Sequence, residues 1–161
     1  VFYSGQVADA VVYAHNKGKL IFNAAGTSLT WTSWWGVIFP ANMSQTVAVT
    51  GVRTGSSLQR CNTCHDGSQV DFVVTMQDAG NTNRTALTLH TSGNQPSYTS
   101  GSSAATATMA GIAALVWGKN LGQNRNQVLQ RLKDASQFYP SRSNSFGWGR
   151  VDALQAVNAV P

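Results

Sequence analysis

Ser103 is the residue in this sequence best placed for covalent chemistry. It stands in the run Ser100-Gly101-Ser102-Ser103-Ala104-Ala105-Thr106-Ala107-Thr108-Met109-Ala110-Gly111-Ile112-Ala113-Ala114-Leu115. A serine in the first turn of a buried helix keeps an exposed hydroxyl, and its own N–H points out of the helix end. The helix dipole there favours negative charge, so an oxyanion formed in acyl transfer would be stabilised. Gly101 allows the chain to approach a substrate closely. The small residues at 104, 105 and 107 let the helix pack tightly on a sheet. The same pattern also suits a Ser N-cap on an Ala-rich core helix. Local physics alone leaves both readings open.

A second group is Cys61-Asn62-Thr63-Cys64-His65. Cys-x-x-Cys-His spells the c-type haem attachment pattern, with His65 as the axial ligand. It equally suits a short-range Cys61–Cys64 disulfide in a surface loop with His65 in solvent. A zinc site would add Asp66 to two thiolates and His65. The surroundings are rich in Ser, Thr and Asn and offer no apolar haem pocket, so the disulfide is the expectation. All six acidic residues are Asp. Asp71 could contribute to a calcium site, but one carboxylate is no site. No cofactor is expected, and a calcium position is not specified. Trp31, Trp34 and Trp35 cluster where they could line a cleft or cover the core.

The surrounding pattern must position these groups. Val7, Ala8, Val11, Val12 and Ala14 have helical spacing, and Lys17-Gly18 ends the helix. His15 lies on that helix, as a surface residue. Leu20-Ile21-Phe22 reads as a short strand running into Asn23-Ala24-Ala25-Gly26. Thr46 to Val52 and Val70 to Val74 read as further buried strands. The order helix, strand, loop, strand predicts an α/β unit with parallel pairing. Residues 53–69 read as a loop. Ala86-Leu87-Thr88-Leu89 is a possible strand in the polar stretch 77–101. Ala104 to Trp117 is apolar nearly all round, which predicts a buried helix. Asn124 to Ala135 is amphipathic, and Val151 to Val160 forms a last short helix.

Several of these segments, in order, resemble the subtilisin-like serine proteases, the subtilases. The Ser103 run is similar to Gly-Thr-Ser-Met-Ala-x-Pro-x-x-Ala-Gly-x-x-Ala-Leu, with Gly101, Ser103, Ala105, Ala110, Gly111, Ala114 and Leu115 on its positions. Ser102 replaces the usual Thr, Ala107 the usual Pro and Thr108 a common His. Ala8 to Gly26 resembles the helix and strand that lead to the oxyanion loop. Phe39-Pro40-Ala41-Asn42 resembles the Tyr-Pro-Ala segment. Gly67 to Val74 resembles the strand that ends in Ala-Pro-Gly, with Thr75-Met76 in place of that ending. Phe146 to Ala153 resembles the closing Gly-x-Gly-x-Val-Asn/Asp helix.

The resemblance implies a three-layer α/β fold, a parallel sheet flanked by helices, of which this chain forms the C-terminal half. Residues 1–161 would then be the C-terminal part of a catalytic domain, including oxyanion loop and nucleophile helix. Ser103 would be the nucleophile of a serine endopeptidase, and Thr27 would stand where an Asn side chain usually donates to the oxyanion. Subtilases carry their triad in the order Asp, His, Ser. The Asp and His segments would precede Val1, in the same chain or a separate one. None of His15, His65 and His90 stands in the setting of the family's general base, so the fragment alone is expected to be inactive. A catalytically weak or inactive binding or assembly module is the alternative.

Composition narrows the remaining classes. The 161 residues carry a net charge of +5, but only 11% are charged. Beyond a loose group at Arg125, Arg131 and Lys133, no basic block interleaves with aromatics, which argues against nucleic acid. No uninterrupted apolar run of membrane-spanning length occurs. The first residues do not resemble a signal peptide. Sparse charge, paired Cys and much Ser, Thr, Asn and Gly suit a secreted protein; the resemblance implies that its partner is a protein or peptide substrate.

Overall fold

The computed structural model describes residues 3–27, 36–79, 85–89, 93 and 96–158. Trp31, Trp34, Trp35 and His90 lie outside the described residues.

Three strands form a parallel sheet: β1 (Phe22–Ala24), β2 (Val47–Arg53) and β3 (Phe72–Gln77), in the order β1-β2-β3. The central strand β2 is buried on both faces, which suits its nearly unbroken apolar sequence. Its residues alternate between two cores. Val47 and Val49 join Phe72 and Met76 on one face. Ala48 and Val52 join Val73, Val37 and Ala41 on the other. A separate antiparallel pair, β4 (Ala86–Leu89) and β5 (Pro96–Thr99), follows β3.

The expected helices form close to their expected limits. They are α1 (Gly5–Asn16), α2 (Ser102–Lys119), α3 (Arg125–Asp134) and α4 (Ala153–Asn158). Asn124 caps α3, accepting from the N–H groups of Asn126 and Gln127, while the Gln127 side chain accepts from Asn124 N–H. That reciprocal box satisfies donors that the first turn otherwise leaves open. Ala105, Met109, Ala113 and Val116 of α2 pack into the first core with Val128 and Leu132 of α3 and Ala156 of α4.

Two expectations about α2 need correction. Its apolar residues predict burial all round, yet only one face is covered. Ser103, Ala107, Ala114 and Leu115 are exposed, Leu115 by 64%. Composition measures how apolar a helix is and does not say what covers it. The N-cap, moreover, is Gly101 and not a serine. Gly101 has φ +92° and ψ 171°, a conformation that is nearly glycine-only. Ser102 and Ser103 therefore both lie inside the first turn.

Candidate active site

The parallel sheet delivers Gly26 and Thr27 from the C-terminal end of β1. The Gly101 turn delivers Ser102 and Ser103. Ser102 is fully buried and Ser103 is exposed. The Thr27 Oγ1 accepts from Ser102 N–H at 3.1 Å and lies 2.6 Å from Ser102 Oγ. A Cβ at position 101 would stand 3.4 Å from Thr27 Oγ1, an ordinary contact, so it is the φ of +92° and not lack of space that favours glycine here. Thr27 thus caps α2 from a distant segment and fills the role that a serine N-cap would otherwise fill. The exposed hydroxyl of Ser103 sits one residue beyond this junction. Ser102 is the site residue that sequence reasoning missed. Its place on the family pattern was visible, but its contact with Thr27 exists only in three dimensions.

The Cys61–Cys64 disulfide is present, and both residues are fully buried. With both sulfurs in that bond, neither is available for a haem thioether or a metal thiolate. His65 is not in solvent, contrary to expectation: it is only 2% exposed. The loop it belongs to folds inward, because Cys61 N–H donates to Gly51 O on β2 and Cys64 pairs with Thr27 in an antiparallel bridge.

The other histidine in view is also more than a surface residue. His15 is half-buried and carries Arg125 against its ring Nε2 at 2.7 Å, while its Nδ1 faces Gln45 O at 3.2 Å. Arg125 donates to the His15 carbonyl as well. A carbonyl only accepts, so Nδ1 carries the proton and Nε2 accepts from Arg125. His15 therefore joins α1 to the start of α3.

Asp71 does not fit a calcium site. Its two oxygens are taken up by Ala48 N–H at 2.9 Å and by Arg142 at 3.1 Å. Burial pushes its carboxyl above the ordinary range, against the Ala48 N–H bond and the nearby charges of Arg142 and Lys133, which pull it down. Among the described residues, no cluster of three or more His, Cys or Asp could hold a metal ion.

Residues 2–149 match the model of the Subtilase family. This chain belongs to the subtilase family. A thermophilic serine proteinase of Bacillus sp. (strain AK1) is 29% identical over 149 residues, covering 92% of this chain and 33% of that protein. A thermostable alkaline protease of Halalkalibacterium halodurans (strain C-125) is 33% identical over 148 residues, covering 92% of this chain and 37% of that protein. The subtilase chain thus spans about one third of the length of these relatives. Solved structures agree on the fold. Fervidolysin from Fervidobacterium pennivorans, a keratinolytic enzyme related to subtilisin, superposes with a TM-score of 0.75 at 16% identity, over 98% of this chain and 25% of that one. A lanthipeptide protease gives 0.72 at 22% identity, over 92% of this chain and 53% of that one. The expected α/β fold, a parallel sheet flanked by helices, is therefore the fold of this subtilase chain.

Proposed function

We propose that residues 1–161 are the C-terminal part of a catalytic domain whose whole is a serine endopeptidase acting through Ser103. The observation that carries this reading is the exposed Ser103 in the first turn of α2, beside a Thr27–Ser102 junction spanning 75 residues of sequence. The Ser103 Oγ attacks the peptide carbonyl while a general base takes its proton. The C–N bond then breaks, the proton passes to the leaving amine, and water releases the acyl group from Ser103.

The oxyanion of this reaction is held by Ser103 N–H and the Thr27 hydroxyl. Thr27 Oγ1 already accepts from Ser102 N–H. When Ser102 Oγ–H also donates to it, the proton of Thr27 is left to point at the substrate oxygen. When Thr27 donates to Ser102 instead, that proton is used up. This second state favours the alternative, a weak or inactive subtilase-like module for binding or assembly.

The general base and its Asp come from a segment preceding Val1, in the same chain or in a separate one, because the family's triad runs in the order Asp, His, Ser, and His15 and His65 are engaged elsewhere. The fragment alone is inactive on this reading. The chemistry needs no cofactor, and the partners are protein or peptide substrates, not nucleic acid or membrane. A buried disulfide suits a secreted protein in an oxidising compartment. No helix among the described residues is long and apolar enough to cross a membrane.

The test is hydrolysis of a chromogenic peptide by the complete protein that carries this chain. Ser103→Ala is expected to lower kcat by at least about 10⁴-fold with the fold intact. Activity that survives Ser103→Ala, or a complete protein with no activity, contradicts the reading.

A further inference from the structure

The Cys61–His65 loop is built against the oxyanion segment, and one side chain joins both flanks of that segment. The His65 N–H donates to Gly26 O at 2.9 Å, immediately before Thr27. Its ring Nδ1 lies 2.7 Å from Gly36 O. Because a carbonyl can only accept, Nδ1 is the donor. The ring also rests on the Cα of Gly26: a Cβ at position 26 would stand 2.5 Å from Nδ1. The His65 carbonyl in turn accepts from the Thr50 hydroxyl, on the buried central strand β2. On its N-terminal side, Cys64 forms the bridge to Thr27 and is closed on Cys61 by the disulfide. His65 is thus anchored to β2 through its main chain, and it grips Gly26 and Gly36 from there.

We infer that His65 is a positioning residue for the oxyanion-binding Thr27, held in place by the Cys61–Cys64 disulfide. This rests on the proposed role of Thr27. A short polar side chain such as threonine has little reach, so its hydroxyl serves an oxyanion only if its backbone is fixed. Fixing the backbone is the work of the bonds to Gly26 and Gly36. Releasing them displaces Thr27 from Ser103 by fractions of an ångström, which affects the transition state more than substrate binding.

Two substitutions in the complete protein separate the donor from the bulk of the ring. His65→Phe keeps the ring under Gly26 and deletes the donor to Gly36. His65→Asn loses the ring but places an amide N–H near the position of Nδ1. Steady-state hydrolysis and the rate of fluorophosphonate adduct formation at Ser103 are measured for each. His65→Phe is expected to lower kcat by about 10–100-fold with KM unchanged within about threefold. His65→Asn is expected to recover most of that loss. If the Phe variant does not fold, His65→Leu makes the same donor deletion at smaller volume. Wild-type kcat in a folded Phe or Leu variant, or an Asn variant no faster than these, overturns the inference while leaving the protease reading intact. Wild-type protein that forms no adduct at Ser103 overturns both.

Discussion

On the proposed reading, efficiency turns on Thr27. Its hydroxyl caps Ser102 and is proposed to serve the oxyanion. Thr27→Val keeps the shape and removes the hydroxyl, and is expected to lower kcat by about 10²-fold, the scale of one lost oxyanion donor. Thr27→Ser should stay within about tenfold of wild type, since the hydroxyl remains. Peptide hydrolysis by the complete protein, with kcat and KM separated, checks both. Equal rates for Val and wild type would show that Thr27 is only a cap. Ser103 and Thr27 are singled out in the sequence because the resemblance sets each on a position of a motif with a fixed order along the chain, and their catalytic roles are the proposal made above. Ser102 and His65 were not legible in this way. Their roles come from contacts with residues far away in sequence, and a Ser next to a Ser, or a His after a Cys, carries no mark of its partner.

At the scale of elements, the turn before α2 is the most constrained. Gly101→Ala forces a side chain into φ +92°, beside Thr27. A loss of about 1–3 kcal/mol in stability is expected, read from the denaturant midpoint, together with slower adduct formation at Ser103. The start of β3 is a second such place. Asp71 reaches across to β2 through Ala48 N–H, and burial raises its carboxyl above its ordinary value of 3.8. The folded chain then holds the Asp71 proton more tightly than the unfolded chain. Its favourable share of stability is complete below the unfolded value and is lost as pH rises through the folded one. The melting temperature of wild type relative to Asp71→Asn should therefore fall as pH rises from about 4; a difference that rises instead would contradict the assigned cause. Most elements were readable from periodicity, and α3 from its capping box as well. β5 was missed: Pro96 opens it opposite Leu89, and Tyr98 is its only large apolar residue. The first strand lies later than Leu20-Ile21-Phe22 suggests, at Phe22–Ala24, because pairing with Val47–Val49 sets its register.

Across the whole molecule, the open face of α2 is a surface that the described residues leave uncovered. Leu115 is exposed on the helix that carries Ser103, and Tyr3, Val7 and Tyr13 are exposed at α1. The apolar pattern of α2 predicts burial all round, and among the described residues only one face is covered, because an apolar pattern does not say what covers it. On the proposed reading, a segment preceding Val1 covers Leu115 and brings the general base to Ser103. Leu115→Cys should react with a maleimide at least about tenfold more slowly in the complete protein than in the 161-residue chain, a protection expected of a packed interior; equal rates would leave the face uncovered. The central claim is tested most directly by treating the complete protein with a fluorophosphonate and mapping the adduct by peptide mass spectrometry. The account predicts a single adduct on Ser103, absent in Ser103→Ala. An adduct elsewhere, or none on active-site serine in the folded complete protein, would contradict it.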